Sequence, residues 1–145
     1  MAKTKFDPNR KSFEQCTERI QQAVKDAGLR TDGRIVTSRD ENVEEAVKAL
    51  TVDNAPAGFH KWQLPVYLNK PSHLFITVAE PGAKSSTHSH DEGDGIRFIA
   101  SGSITYKGQE LTTGDWMFIP AGVSYSFETG RFGAVMCYCY CCCCA

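Results

Sequence analysis

The stretch "THSHDEGDG", residues 87–95, sets His88 and His90 two positions apart, ahead of an acidic, glycine-rich run. On a β-strand, residues two apart point to the same side, so both imidazoles face one way and Ser89 the other. Two neutral imidazoles on one face can bind a divalent transition metal, Fe, Mn, Ni or Zn, with iron(II) favoured where a carboxylate completes the set. The same pair can equally sit in a wet cavity, bonded to water. A second chemical cluster closes the chain. The segment "CYCYCCCCA" holds six of the seven cysteines, and Cys16 stands alone. Its first part alternates as a final strand would, with reduced Cys137 and Cys139 acting as small hydrophobes. The run Cys141, Cys142, Cys143 and Cys144 is not explained that way. Such thiols can hold soft ions or be oxidised, but adjacent strand residues point apart, so they converge on one ion only through a turn.

The elements that must position these groups follow from the rest of the chain. At 145 residues it fits one domain with a buried core and a short extension. A net charge of -1, with no basic stripe, gives no support to nucleic-acid binding. No apolar run approaches the ~18–20 residues of a membrane span, and "MAKTKFDPNRKSFEQ" lacks the apolar middle of a signal peptide. A cytoplasmic location is therefore expected, with no membrane partner. Six cysteines crowded at one end close almost no loops, which argues against a disulfide framework.

Helical spacing of Phe13, Cys16, Ile20, Ala23 and Val24, ended by Gly28, predicts one helix. A second is predicted over 42–50, with Asn42 as N-cap and Glu45 three positions on. From about residue 55, short runs rich in Val, Ile, Phe, Tyr and Thr alternate with turn signals. Strands are predicted near 61–68, 73–79, 84–90, 95–100, 103–106, 115–119, 123–128 and 132–140. That series suggests a small barrel or two-sheet sandwich. The division expected is a helical extension over 1–54, a barrel over 55–136, and a strand end with cysteine tail over 137–145.

Two linked patterns resemble the cupin superfamily. "GAKSSTHSHDEGDGIRFIASG", residues 82–102, is similar to its first motif: a glycine, His-x-His, a glutamate and a further glycine at set spacings. "GDWMFIPAGVSYSF", residues 114–127, is similar to the second, with Gly114, Pro120 and Gly122 in place. The resemblance covers about residues 60–136 and implies a mainly β fold, the cupin double-stranded β-helix or jelly roll, behind short N-terminal helices. It also implies a small-molecule site inside the barrel and a homodimer paired through its sheets.

The ligand set departs from the family. Gly95 stands where the glutamate is expected, and Tyr125 where the second motif usually has a histidine. Asp94, one residue away, or a Tyr125 phenolate are the substitutes that would complete a metal site with His88 and His90; Glu92 lies in the same loop. Arg97, two after Gly95, shares the inward face if the strand is regular, and would then hold a carboxylate or phosphate. Otherwise it is a surface arginine. Tyr106, Trp116 and Phe127 are candidates for the wall of a substrate site or for plain core. Two functions remain open: a small metal-dependent dioxygenase, isomerase or lyase, and a non-catalytic ligand-binding or sensing module with an incomplete metal site. A thiol or metal role of the tail is separate from both.

Overall fold

Ser12 opens the first helix by a reciprocal pair of hydrogen bonds. Its hydroxyl accepts from the Gln15 N–H at 3.2 Å, and its own N–H donates to Gln15 Oε1 at 2.9 Å. Helix α1, Phe13–Ala27, then runs to Gly28, whose φ of 66° closes it in the left-handed region. It buries Ile20 and Ala23 against Leu50, with Val24 and Tyr67 alongside. Helix α2, Val43–Ala49, starts differently from expectation. Asn42 is itself left-handed, at φ 69°, and makes no side-chain cap bond; Glu45 pairs with Lys48 at 2.9 Å instead of reaching back. Arg19 fixes the chain after α2, donating to the carbonyls of Ala49 and Thr51 and to Gln63 Oε1.

The computed structural model describes Asp7 and residues 10–142. It divides the chain into two units, one of Met1–Arg30 with Glu41–Tyr67, the other of Thr31–Asp40 with Leu68–Ala145. These limits differ from the 1–54, 55–136 and 137–145 division expected. Residues 55–67 are irregular, with a turn at 57–58, rather than the strand predicted at 61–68, and a bridge from Thr51 to Trp62 ties them to the helical unit. Residues 36–37 join the sheet, and 137–140 are the end of a long strand.

The second unit is mainly β and antiparallel throughout. Its strands are β1 Val36–Thr37, β2 His73–Ala79, β3 Gly95–Tyr106, β4 Gln109–Thr112, β5 Trp116–Ile119 and β6 Glu128–Tyr140. The order is β1-β5-β3-β6-β2, with β4 pairing the far end of β3. The pairs Arg97↔Met117 and Arg97↔Tyr138 put those three residues on one face. Ile99, Met136, Met117, Ile119 and Tyr138 from that face form the core with Tyr125 and Tyr140. The predicted strands at 84–90 and 123–128 are not continuous ladders. They meet through isolated bridges at Lys84↔Glu128 and His88↔Tyr125. Gly122, at φ 74°, makes the bend the second motif required, and its N–H donates to the His90 carbonyl at 2.9 Å.

Candidate functional site

Backbone bonds run both ways between His88 and Tyr125, at 3.1 and 3.0 Å, and lay the two motifs side by side. The His88 and His90 rings lie 5.0 Å apart at their centroids, edge to face, so the pair converges although its segment is not a regular strand. His88 Nδ1 is 2.7 Å from the Ser86 carbonyl. A carbonyl only accepts, so that nitrogen carries the hydrogen.

Arg97 points inward and is 6% exposed. One guanidinium nitrogen donates to the Tyr125 hydroxyl at 3.2 Å, and that oxygen lies 3.3 Å from His90 Nε2. Arginine has no acceptor, so the Tyr125 oxygen accepts from Arg97, and the direction of its bond with His90 follows the imidazole tautomer. The polar chain runs from Arg97 through the Tyr125 hydroxyl to His90 Nε2. Burial first, then the His88 and Arg97 charges, hold His90 below its ordinary value of 6.5. The guanidinium carbon stands 4.3 Å from the Tyr138 ring centre and 5.1 Å from that of Phe127.

No carboxylate pairs with Arg97 among the described residues, and its Nε–H has no partner. The Tyr138 hydroxyl is also buried without a partner in hydrogen-bonding geometry, although Tyr125 lies beside it. Burial is the main cause that pushes this phenol up.

The other candidates lie elsewhere. The Asp94 carboxylate accepts from the Ala121 N–H at 2.9 Å. Trp116 pairs with Phe98, on the sheet face opposite Arg97. Tyr106 is at the distal end of β3, opposite Gln109 and beneath Lys107. Cys141 and Cys142 end the described chain; Cys143 and Cys144 lie outside the described residues. Tyr138 and Tyr140 belong to the site, 5.4 and 4.8 Å from the His90 ring, and were not among the candidates. The signal was present, since alternation in "VMCYCYC" sets both tyrosines opposite the cysteines, but which face turned inward depended on pairing with β3. In the helical unit, a cavity of about 360 Å³ is lined by Lys11, Cys16, Arg19, Asp53 and Lys61 among others.

A resident divalent ion of the kind the resemblance implies does not fit these donors. Among the described residues no three His, Cys, Asp or Glu side chains gather as a ligand set. One of the two imidazoles has its Nε2 engaged by Tyr125, and a guanidinium stands next to that phenol. A cation beside a fixed positive charge in a partly buried place is disfavoured.

The second unit is a mainly β, antiparallel fold in which the two motifs lie side by side, and the first unit carries two short helices. Similar solved structures include KdgF from Halomonas sp., at 18% identity and a TM-score of 0.40 over 46% of this chain. This chain spans 64% of that protein's length. A cupin protein from Bacteroides fragilis is similar at 23% identity and 0.39, over 57% of this chain and 73% of its own. A chain in the structure of Rhodobacter sphaeroides SigE in complex with the anti-sigma ChrR is similar at 12% identity and a TM-score of 0.44, over 92% of this chain and 69% of its own. No family model matches the chain, and no curated protein matches it.

Proposed function

We propose that the jelly roll is a binding module for a small organic anion, a carboxylate held by Arg97 within the ring of His88, His90, Tyr125 and Tyr138. The observation that carries this is the buried guanidinium without a counter-ion. A buried charge lacking its partner costs several kcal/mol, and the Tyr138 and Phe127 rings return only about 2 kcal/mol each. An anion supplies the missing charge, and the planar fork of Arg97 suits a carboxylate's two oxygens. The unsatisfied Tyr138 hydroxyl is a further donor for it. The reading makes the protein a non-catalytic ligand-binding module. A reducing compartment suits it, since Cys16, Cys137, Cys139 and Cys141 are free thiols. Among the described residues no helix is long and apolar enough to cross a membrane.

The test is thermal unfolding in a non-binding buffer against acetate, malonate, benzoate and phosphate. At least one carboxylate should raise Tm with concentration, reaching about 2.7 kcal/mol of added stability near one hundred times its Kd. Arg97→Met should abolish that response while leaving the anion-free protein at least as stable, because the substitution removes an uncompensated buried charge. No response from any carboxylate, or the same response in Arg97→Met, would sink the proposal. Elemental analysis gives a second check. His88→Ala with His90→Ala should leave the metal content of the full chain unchanged.

A further inference from the structure

Strand β6 ends at Tyr140, and the chain bends at Cys141. On a continued strand the next two side chains would point to opposite faces. The bend instead brings the sulfurs of Cys141 and Cys142 to 3.6 Å from each other. Both residues are half-buried, packed against the cluster that includes Tyr138 and Tyr140. Gly93 makes room for this, since a Cβ there would lie 2.9 Å from the Cys141 sulfur. The loop carrying Gly93 is held on two sides. The Glu92 N–H donates to the Tyr140 hydroxyl at 3.1 Å, and Lys70 donates to the Glu92 carbonyl.

The sulfur spacing is that of two thiols in S–H···S contact, and it also bears on what the pair can bind. A disulfide needs about 2.05 Å. A tetrahedral ion with metal–sulfur bonds of about 2.3 Å holds two thiolates about 3.8 Å apart. The observed separation is within a few tenths of the second value and far from the first. Sulfur donors select soft cations over magnesium or calcium.

We propose that Cys141 and Cys142 form a two-thiolate site for a soft d10 divalent cation, zinc or cadmium, at the end of β6. Two metal–sulfur bonds replace two S–H bonds, and two protons leave for each ion bound. Water or a small external thiol fills the other two positions, so the ion is exchangeable rather than structural. The site is independent of Arg97 and of any anion in the jelly roll.

The experiment is a cadmium titration of the reduced full chain, following the thiolate-to-cadmium ultraviolet band and proton release together. One ion and two protons per chain are expected, unchanged in Cys143→Ser/Cys144→Ser and at least tenfold weaker in Cys141→Ser/Cys142→Ser. Because those last changes touch the edge of the core, the unmodified protein is also alkylated with and without cadmium and its peptides mapped. Cys141 and Cys142 should be protected, and Cys16 should not. A full-strength band in Cys141→Ser/Cys142→Ser, its loss in Cys143→Ser/Cys144→Ser, or protection confined to other cysteines would each overturn the assignment.

Discussion

Gly95 and Tyr138 act as one feature. A Cβ at Gly95 would lie 2.5 Å from the Tyr138 hydroxyl and 2.7 Å from a ring carbon, closer than atoms tolerate. The tyrosine thus fills the volume where the family resemblance expects a glutamate. Gly95→Ala is predicted to cost about 1–3 kcal/mol by overpacking, and much less in a Tyr138→Leu background. Chemical denaturation of the two single variants and the double variant reads that coupling; simple additivity would refute it. His90 carries a second residue-scale prediction. It faces His88, Arg97, Asp91, Tyr125, Tyr138 and Tyr140, and it is held below 6.5. A depressed histidine binds fewer protons folded than unfolded, so stability falls as pH drops below 6.5 and levels off below the folded value. His90→Gln should flatten Tm against pH in that window, and an unchanged slope would rule the account out. The sequence brought His88 and His90 together as candidates and left Arg97 open between the inward face and the surface, whereas the structure buries it. Tyr138 was not legible, because its face is decided by register with a strand some forty residues earlier.

Between elements, Asp115 does the joining. It is 9% exposed, and its carboxylate accepts from Ser38 Oγ at 2.8 Å, the Thr112 N–H at 2.8 Å, and Arg39 at 3.0 and 2.9 Å. Those bonds clip the segment after β1 to the turn between β4 and β5. Burial alone would raise this carboxyl, but the donors from Thr112, Arg39 and Ser38 outweigh it and hold it below its ordinary value of 3.8. A depressed carboxyl contributes stability above that value and loses it as pH falls through the folded one. Asp115→Asn is therefore predicted to lose about 1–3 kcal/mol at neutral pH, and to lack part of the acid-induced loss below pH 4. Urea unfolding at pH 7 and pH 3 measures both; equal losses at the two values would contradict it. Arg39→Ala should cost less, since that side chain is 49% exposed. Strands with clear alternation, such as 73–79, were legible, and the two predicted at 95–100 and 103–106 are one strand with bulges. A two-residue strand like β1 has no period to read, so only its partner β5 reveals it.

Across the whole molecule, one sheet surface is apolar from strand to strand. Opposite the site face, Leu74, Ile76 and Val78 of β2 lie beside Cys139, Cys137 and Val135 of β6, and those cysteines lie beside Ile96 and Phe98 of β3. Leu74 is 64% exposed, Ile76 62% and Val78 76%. β2 is also the sheet's edge in the strand order, and it carries no charge or proline between His73 and Glu80. Edge strands are usually blunted by such residues, and exposed apolar patches of several hundred Å² mark contact surfaces. A second copy offers the identical face, and a two-fold axis makes an all-apolar patch complementary to itself. The prediction is self-association through β2, β6 and β3, with this patch at the core of an interface of about 800 Å² on each partner. Sedimentation at micromolar concentration should give a dimer for the natural protein and a monomer for Ile76→Lys. A charge there disrupts the contact but leaves the monomer within about 0.5 kcal/mol, because the site is on the surface. A natural protein that stays monomeric, or an Ile76→Lys protein that stays dimeric, would mean that another surface or another molecule covers this face.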